Sequence, residues 1–291
     1  MFRKNVAGIL SAVIILAVVA MAGCAAKKEM KIEPEPGLSL MYRMPADQVL
    51  KYQMTNESTQ NLEIMGQSMK IETSKAYGFS IKSKGMQEGN HKLEFTINSA
   101  AIHVESPQGG VPVSVDAVLG KSFDMTFSPL GEELDLAGAK ALKYSMPQGE
   151  QSIAPDFQIV FPNLPGKPME IGDTWSGKDT LNIEEGDSRL KIDMDILNTL
   201  EGFETIEGME CVKVVSKITG TVDGQGKQEG MDLVTKGDLK GTDTWYFAYK
   251  DGILVKVASD VDVDATVTGT GLQNITIPLK QKAHTDIILV K

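Results

Sequence analysis

Residues 253–267 read ILVKVASDVDVDATV. Ile253, Val255, Val257, Val261, Val263, Ala265 and Val267 fall on one parity, and Lys256, Asp260, Asp262, Asp264 and Thr266 on the other. A period of two places one set of side chains against a core and the other in water, which is how a strand of an antiparallel sheet behaves. The alternation runs without a slip and is the longest in the chain. At about 3.3 Å per residue it spans roughly 50 Å, and a strand of that length twists or curls rather than staying flat.

The same period extends in both directions. Upstream lie Trp245, Phe247 and Tyr249, then the hairpin turn Lys250-Asp251-Gly252; downstream lie Ile275, Ile277 and Leu279, then Ile288 and Val290. Leu50, Tyr52 and Met54 open the pattern, and Leu62 and Ile64 face Met69 and Ile71 across Met65-Gly66-Gln67-Ser68, a hairpin. Leu93, Phe95 and Ile97 form a further stripe, whose parity His91 and His103 share as strand-end residues. Phe123, Met125 and Phe127 form another, stopped at Ser128-Pro129-Leu130-Gly131, and Ile192, Met194 and Ile196, then Val212, Val214 and Ile218, continue the series. Residues 137–161 break it: a short helix fits 139–144, and Pro147, Gly149 and Pro155 interrupt the stretch beyond it.

Two halves resemble each other. GNHKLEF at residues 89–95 matches GMECVKV at 208–214, and each is followed by an aromatic strand and a glycine turn, ending at Gly131 in one and Gly252 in the other. The expected fold class is therefore all-β with minor α, its antiparallel sheets built from two similar halves as a sandwich or as paired curved half-barrels. The expected division is 1–23, a signal peptide; 24–40, an anchor and tether; 41–145, a first β half; 146–170, a connection; and 171–291, a second β half.

The N-terminus carries an address. Arg3 and Lys4 precede an apolar run over residues 6–20 and then Met21-Ala22-Gly23-Cys24, the form of a secretory signal. A membrane span needs about 20 apolar residues, which the run reaches only if extended to residue 26. The segment resembles the bacterial lipoprotein signal, although Met21 stands where that pattern prefers leucine. The resemblance implies that Cys24 is acylated and becomes the first mature residue, anchoring the protein to a membrane through its acyl chains. Because Ala25 rather than aspartate comes next, it also implies transfer to the outer membrane in a Gram-negative cell. AAKKEMKIEPEPG, residues 25–37, has no apolar period and reads as an extended tether on the order of 40 Å long.

Composition narrows the rest. The 291 residues hold 29 basic and 39 acidic side chains, a net charge of −10 that becomes −12 without Arg3 and Lys4. Such a balance argues against nucleic acid and against electrostatic docking on anionic lipid. With Cys24 acylated, Cys211 has no disulfide partner; it is either a small strand residue or a thiol activated by nearby lysines such as Lys213. No G-x-S-x-G, H-E-x-x-H, C-x-x-C or Walker loop occurs, and His91, His103 and His284 lack ligand spacing, so neither an enzyme nor a cofactor is expected. Asp260, Asp262 and Asp264 are the candidate metal ligands: alternate carboxylates about 7 Å apart suit a hard cation, with help from Asp193 and Asp195 if that strand is adjacent. The competing reading is an ordinary solvated face that also deters edge pairing.

Leu164-Pro165 followed by Gly172-Asp173-Thr174-Trp175, between two β-rich halves behind a lipobox, resembles an uncharacterised family of bacterial lipoproteins catalogued as a domain of unknown function. The resemblance implies no catalytic residues. Gly172-Asp173 reads as a turn and Trp175 as a core anchor opening a strand. The functional expectation is a non-enzymatic envelope lipoprotein that binds a hydrophobic ligand or a protein partner, with Met54, Met69, Met125 and Met194 on its apolar parities. The alternative is a structural or assembly component without a ligand cavity.

Overall fold

Almost every alternating segment becomes a strand paired with its neighbour in sequence. A computed structural model describes residues 37–45, 48–64, 66–147, 149–158, 160–228, 230–271 and 274–290; the signal segment, Cys24 and the tether up to residue 36 lie outside the described residues. The strands are β1 (Val49–Ile64), β2 (Gln67–Gln87), β3 (Asn90–Ser106), β4 (Gly109–Val111), β5 (Ser122–Phe127), β6 (Glu133–Asp135), β7 (Lys143–Met146), β8 (Gly149–Ser152), β9 (Thr174–Glu185), β10 (Ser188–Ile206), β11 (Met209–Gln228), β12 (Met231–Ala248), β13 (Ile253–Thr270) and β14 (Ile275–Val290).

They form one all-β, antiparallel sheet in the order β6-β5-β3-β2-β1-β14-β13-β12-β11-β10-β9, with β4 added on β3 and β7–β8 as a separate hairpin. The halves merge because β1 pairs with β14 in an unbroken register from Lys51↔Val290 to Leu62↔Leu279. They also share a turn. Glu88-Gly89 closes the β2–β3 hairpin and Glu207-Gly208 the β10–β11 hairpin. Glu88 (φ 52°) and Glu207 (φ 50°) are the only non-glycine residues with positive φ among the described residues, as a two-residue type I′ loop demands.

The sheet curls. Six strand spacings separate β5 from β12, about 29 Å on a flat surface. Yet the rings of Phe127 on β5 and Phe247 on β12 both pack edge-on against Tyr42, at centroid distances of 4.8 and 5.0 Å. The two phenylalanines therefore lie within about 10 Å of each other. Inside the curl sit the strap 38–44 and the connection. Tyr42 donates from its hydroxyl to the Pro162 carbonyl (2.9 Å), and Leu38 pairs with Met169. Leu38 to Leu40, which the expected division places in the anchor and tether, thus belong to the fold.

The strap is held by two glycine turns, those ending at Gly131 and Gly252. The Tyr42 amide donates to the Pro129 carbonyl and the Arg43 amide to the Gly252 carbonyl, both at 2.9 Å. Gly252 has φ +72°, and a Cβ there would come within 2.7 Å of the Arg43 nitrogen, so only glycine allows the crossing.

Over residues 137–161, where the alternation breaks, a helical turn at Ala137–Lys140 takes the place of the slightly later helix that the sequence suggests, and the β7–β8 hairpin and a second turn at Ala154–Phe157 come after it. Phe157 packs against Tyr77, Phe79, Phe95 and Phe123. Within that second turn, Asp156 receives two hydrogen bonds from Lys75 Nζ (2.7 and 3.0 Å) and one from the Tyr77 hydroxyl (2.9 Å). Lys75 and Asp156 are both buried. Burial pulls the Lys75 ammonium toward neutrality, but the charge and hydrogen bonds of Asp156 outweigh it and hold its pKa above the usual lysine range.

Three further expectations change. β2, with 21 residues, is longer than β13, with 18; two register shifts along β2–β3 hide it from a parity count. The first of those shifts moves β3 by one residue after Ile97, so that Ile102 and Val104 are buried and His103 faces outward, off the parity of buried His91, Leu93 and Phe95. β13 also slips: Tyr246 pairs with Lys256 but Phe247 with Leu254. Leu254 therefore joins the main core, and Val255 a small separate cluster with Cys211 and Ala248. Ile253-Leu254-Val255 is apolar on both parities, so the bulge leaves no mark in the sequence.

Removing one partner of the Lys75–Asp156 pair should cost about 3–5 kcal/mol by stranding a buried charge, and replacing both with apolar residues much less. Urea unfolding of Asp156→Ala against the double variant Lys75→Met/Asp156→Leu measures this. Equal losses in the two variants would contradict the expectation.

Candidate functional site

The inner face is not uniformly apolar. At one level across the sheet, seven successive strands present a polar side chain in direct register: Lys75 on β2, Asn56 on β1, Thr285 on β14, Ser259 on β13, Asp243 on β12, Ser216 on β11 and Asn198 on β10. Each takes a core-facing position of its strand, as Ser259 does between Val257 and Val261, and Thr285 between Ala283 and Ile287. All except Asp243, which is half-buried, are buried. Buried polar groups must bond one another, and the row does. Asn56 Nδ2 donates to Thr285 Oγ1 (2.6 Å), Trp245 Nε1 to Ser216 Oγ (3.0 Å), and Ser216 Oγ to Asn198 Oδ1 (2.6 Å).

Asp243 is the exception in a second respect. Its Oδ1 is sealed from solvent and accepts no hydrogen bond among the described residues. Burial pushes its carboxyl up to about 7; the Ser259 hydroxyl bonds to it and opposes the rise, while the charge of Asp260 adds to it.

Asp243, Asn198, Ser216 and Ser259 line a partly enclosed cavity of about 70 Å³. Its other walls are apolar, chiefly Leu181, Ile192, Met194, Ile218, Leu239 and Val261, with the Trp245 indole beside them. Phe161, Asn163 and Asp179 complete the cavity and also border an open cleft of about 450 Å³, where the β6 end of the sheet approaches β9. Burial raises the Asp179 carboxyl, and Asn163 Nδ2 donates to it at 3.0 and 3.2 Å. Glu133, across the cleft, is held well above the usual carboxylate range by burial, against which the Val160 amide donates at 3.1 Å. The seam between the sheet ends thus leads past desolvated carboxyl groups toward an apolar chamber.

Trp175 anchors this region. It opens β9 after a turn with Gly172 at φ +92° and the Asp173 carboxylate accepting from the Glu170 amide (2.9 Å). Its Nε1 donates to the Asn163 carbonyl (3.1 Å), and its ring packs edge-on against Trp245 at 5.9 Å. The motif Gly172-Asp173-Thr174-Trp175 therefore packs behind the cavity, against two of its lining residues, Trp245 and Asn163.

The residues singled out by sequence lie elsewhere. Asp260, Asp262 and Asp264 are on the outer face, opposite His284, Lys282 and Lys280 of β14. Asp260 Oδ1 lies 3.1 Å from His284 Nδ1, and the two lysine pairs close at 3.6 Å. These are cross-strand pairs on solvated groups, each worth little. Asp193 and Asp195 do not join them: β10 is three strands from β13, and they pair with Lys191 and Lys178, both at 2.6 Å. The described residues contain no group of three or more His, Cys, Asp or Glu arranged to hold a metal. Cys211 is buried, and burial pushes its thiol up to about 12, the behaviour of a packed strand residue. Cys24 lies outside the described residues. Among those residues no helix is long and apolar enough to cross a membrane.

No protein-family model matches the chain, and no curated protein matches it in sequence. Among solved structures it is similar to the β domain of the Bordetella autotransporter BrkA, at 8% identity over 84% of this chain and 100% of that one, with a TM-score of 0.27. It is also similar to OccD3 (OpdP) of Pseudomonas aeruginosa, at 8% identity over 88% and 95% with a TM-score of 0.18. A DUF1329 family protein from Desulfovibrio piger is 10% identical over 82% and 84%, with a TM-score of 0.15. Likenesses at these TM-scores carry no argument about the role of the chain.

The side-chain environments set two expected outcomes. Because the folded protein holds the Asp243 proton up to about pH 7 and the unfolded chain releases it near 3.8, Asp243 makes stability fall as pH rises between those values. From pH 5 to 8 the loss should be on the order of 2 kcal/mol, absent in Asp243→Asn; parallel slopes of unfolding free energy against pH would contradict this. In a Cys24→Ala chain, Cys211 should resist a disulfide reagent at pH 8 in the folded state and react on adding denaturant. Rapid native-state labelling would count against its packed role.

Proposed function

We propose that the chain is a lipid-anchored, extracytoplasmic binding protein without catalytic activity, which takes a small, largely apolar ligand into the inner face of its curled sheet. The partly enclosed, apolar-walled chamber ending on a row of buried polar groups carries this reading, because small-molecule sites pair apolar walls with a few placed polar atoms. The open cleft at the seam offers a way in. The buried hydroxyls nearest the chamber support a non-enzymatic role: Ser216 bonds to Asn198 and Ser259 to Asp243, and neither bonds to histidine.

The anchor rests on the N-terminal signal. Acylation of Cys24 would hold the protein on a cell membrane, or on the outer membrane of a Gram-negative cell given Ala25, and the tether would let the domain stand clear of the bilayer. The resemblance to an uncharacterised lipoprotein family points the same way. A structural or assembly role is the second reading, favoured by how much of the inner face Tyr42, Phe157 and Phe161 already fill and by a chamber of only about 70 Å³.

Expression in a lipoprotein-processing host with a fatty-acid label should mark the wild type and not Cys24→Ala; an unlabelled wild type would rule out the anchor. Native mass spectrometry of the released domain should reveal a bound small molecule that is lost in Ile192→Trp, which fills the chamber. A domain free of adducts, unchanged by that substitution, would favour the structural role.

A further inference from the structure

Deepening the binding reading on which it rests, we infer that the chamber selects a short primary alkylammonium, with its carbon chain against Ile192, Met194 and Ile218, its charged nitrogen met by Asp243, and Asp179 adding negative charge elsewhere on the cavity wall. Both carboxyl groups line the one cavity, and neither has a lysine, arginine or histidine partner among the described residues. Their local hydrogen bonds come from neutral groups, Ser259 at Asp243 and Asn163 at Asp179. By contrast, buried Asp156 has a basic partner, as do Asp193, Asp195, Asp260, Asp262 and Asp264 on the outer face.

A desolvated carboxyl without a cation is costly to ionise, and both of these groups are raised by burial. A bound ammonium supplies the missing charge and the donor that Asp243 Oδ1 lacks. The other donors near Asp243 are committed, Trp245 Nε1 to Ser216 and Ser216 to Asn198. An anionic ligand would face two carboxyl groups. A neutral alcohol would satisfy one hydrogen bond and bring no charge. About 70 Å³ is on the order of five water-sized volumes, which limits the chain to a few carbons.

The test is calorimetric titration of the wild-type domain with butylammonium, butanol and butyrate at pH 8, with fluorescence of Trp245 as a second readout from the cavity wall. Butylammonium should bind at least tenfold more tightly than butanol, and butyrate should not bind. Asp243→Asn and Asp179→Asn, checked for native circular dichroism, should each reduce the preference for the amine; if neither variant folds, the wild-type series decides. The inference is overturned if butanol or butyrate binds as tightly as the amine, or if both folded variants keep the preference. Tight butanol binding would leave the wider proposal of an apolar-ligand site standing, whereas no binding of any of the three, with no adduct in the purified domain, would remove both.

Discussion

A sheet whose flat width would hold Phe127 and Phe247 about 29 Å apart is bent until both rings meet one tyrosine. That curl is the constraint on which the remaining structure depends. Long antiparallel strands supply twist, but twist alone does not set how far a sheet closes. Here the closure is fixed by the groups inside: the strap through Tyr42, held between two glycine turns, and the connection through Phe157 and Phe161. The Lys75–Asp156 pair fastens the connection to β2 far from water, and its hydrogen bonds from both Lys75 and Tyr77 fix the helical turn in one position.

Closure around a plug explains why the inner face holds both a packed region and a chamber. The aromatic side chains of the connection crowd against β2, β3 and β5, where Phe157 alone meets four rings. On the β9–β12 side the sheet presents mostly aliphatic residues, and the plug reaches it through Phe161, Pro162 and Asn163. The two sides of the sheet are thus used differently, one filled by aromatic packing and the other left with space beside a polar row.

The architecture is legible because period-two alternation reports directly on which face of a strand is buried, and most strands keep it. The features that escape a sequence reading lie where the alternation is locally silent. Ile253-Leu254-Val255 conceals a bulge, since apolar residues on successive positions are compatible with either register. The shift in β3 that turns His103 outward is equally invisible, because Asn98 and Ser99 suit either face. The polar row leaves a trace at each position, such as Ser259 interrupting a valine stripe and Asn56 coming after Leu50, Tyr52 and Met54. One polar residue in one stripe is ordinary, and only the register, which no single strand contains, aligns seven of them.

The aspartates make the same point in electrostatic terms. On β13 the alternating carboxylates at 260, 262 and 264 stand out as a run, yet β14 answers each with a basic side chain at the matching position, and their charge is spent in water. Asp243, on the neighbouring strand and of the opposite facing, has nothing about it in sequence beyond standing between Gly241 and Trp245. What distinguishes it is that the strands on either side contribute Ser216 and Ser259 rather than a lysine. A carboxyl group becomes a candidate for binding through the cation its neighbours fail to provide, and that is a property of the sheet rather than of any segment of the chain.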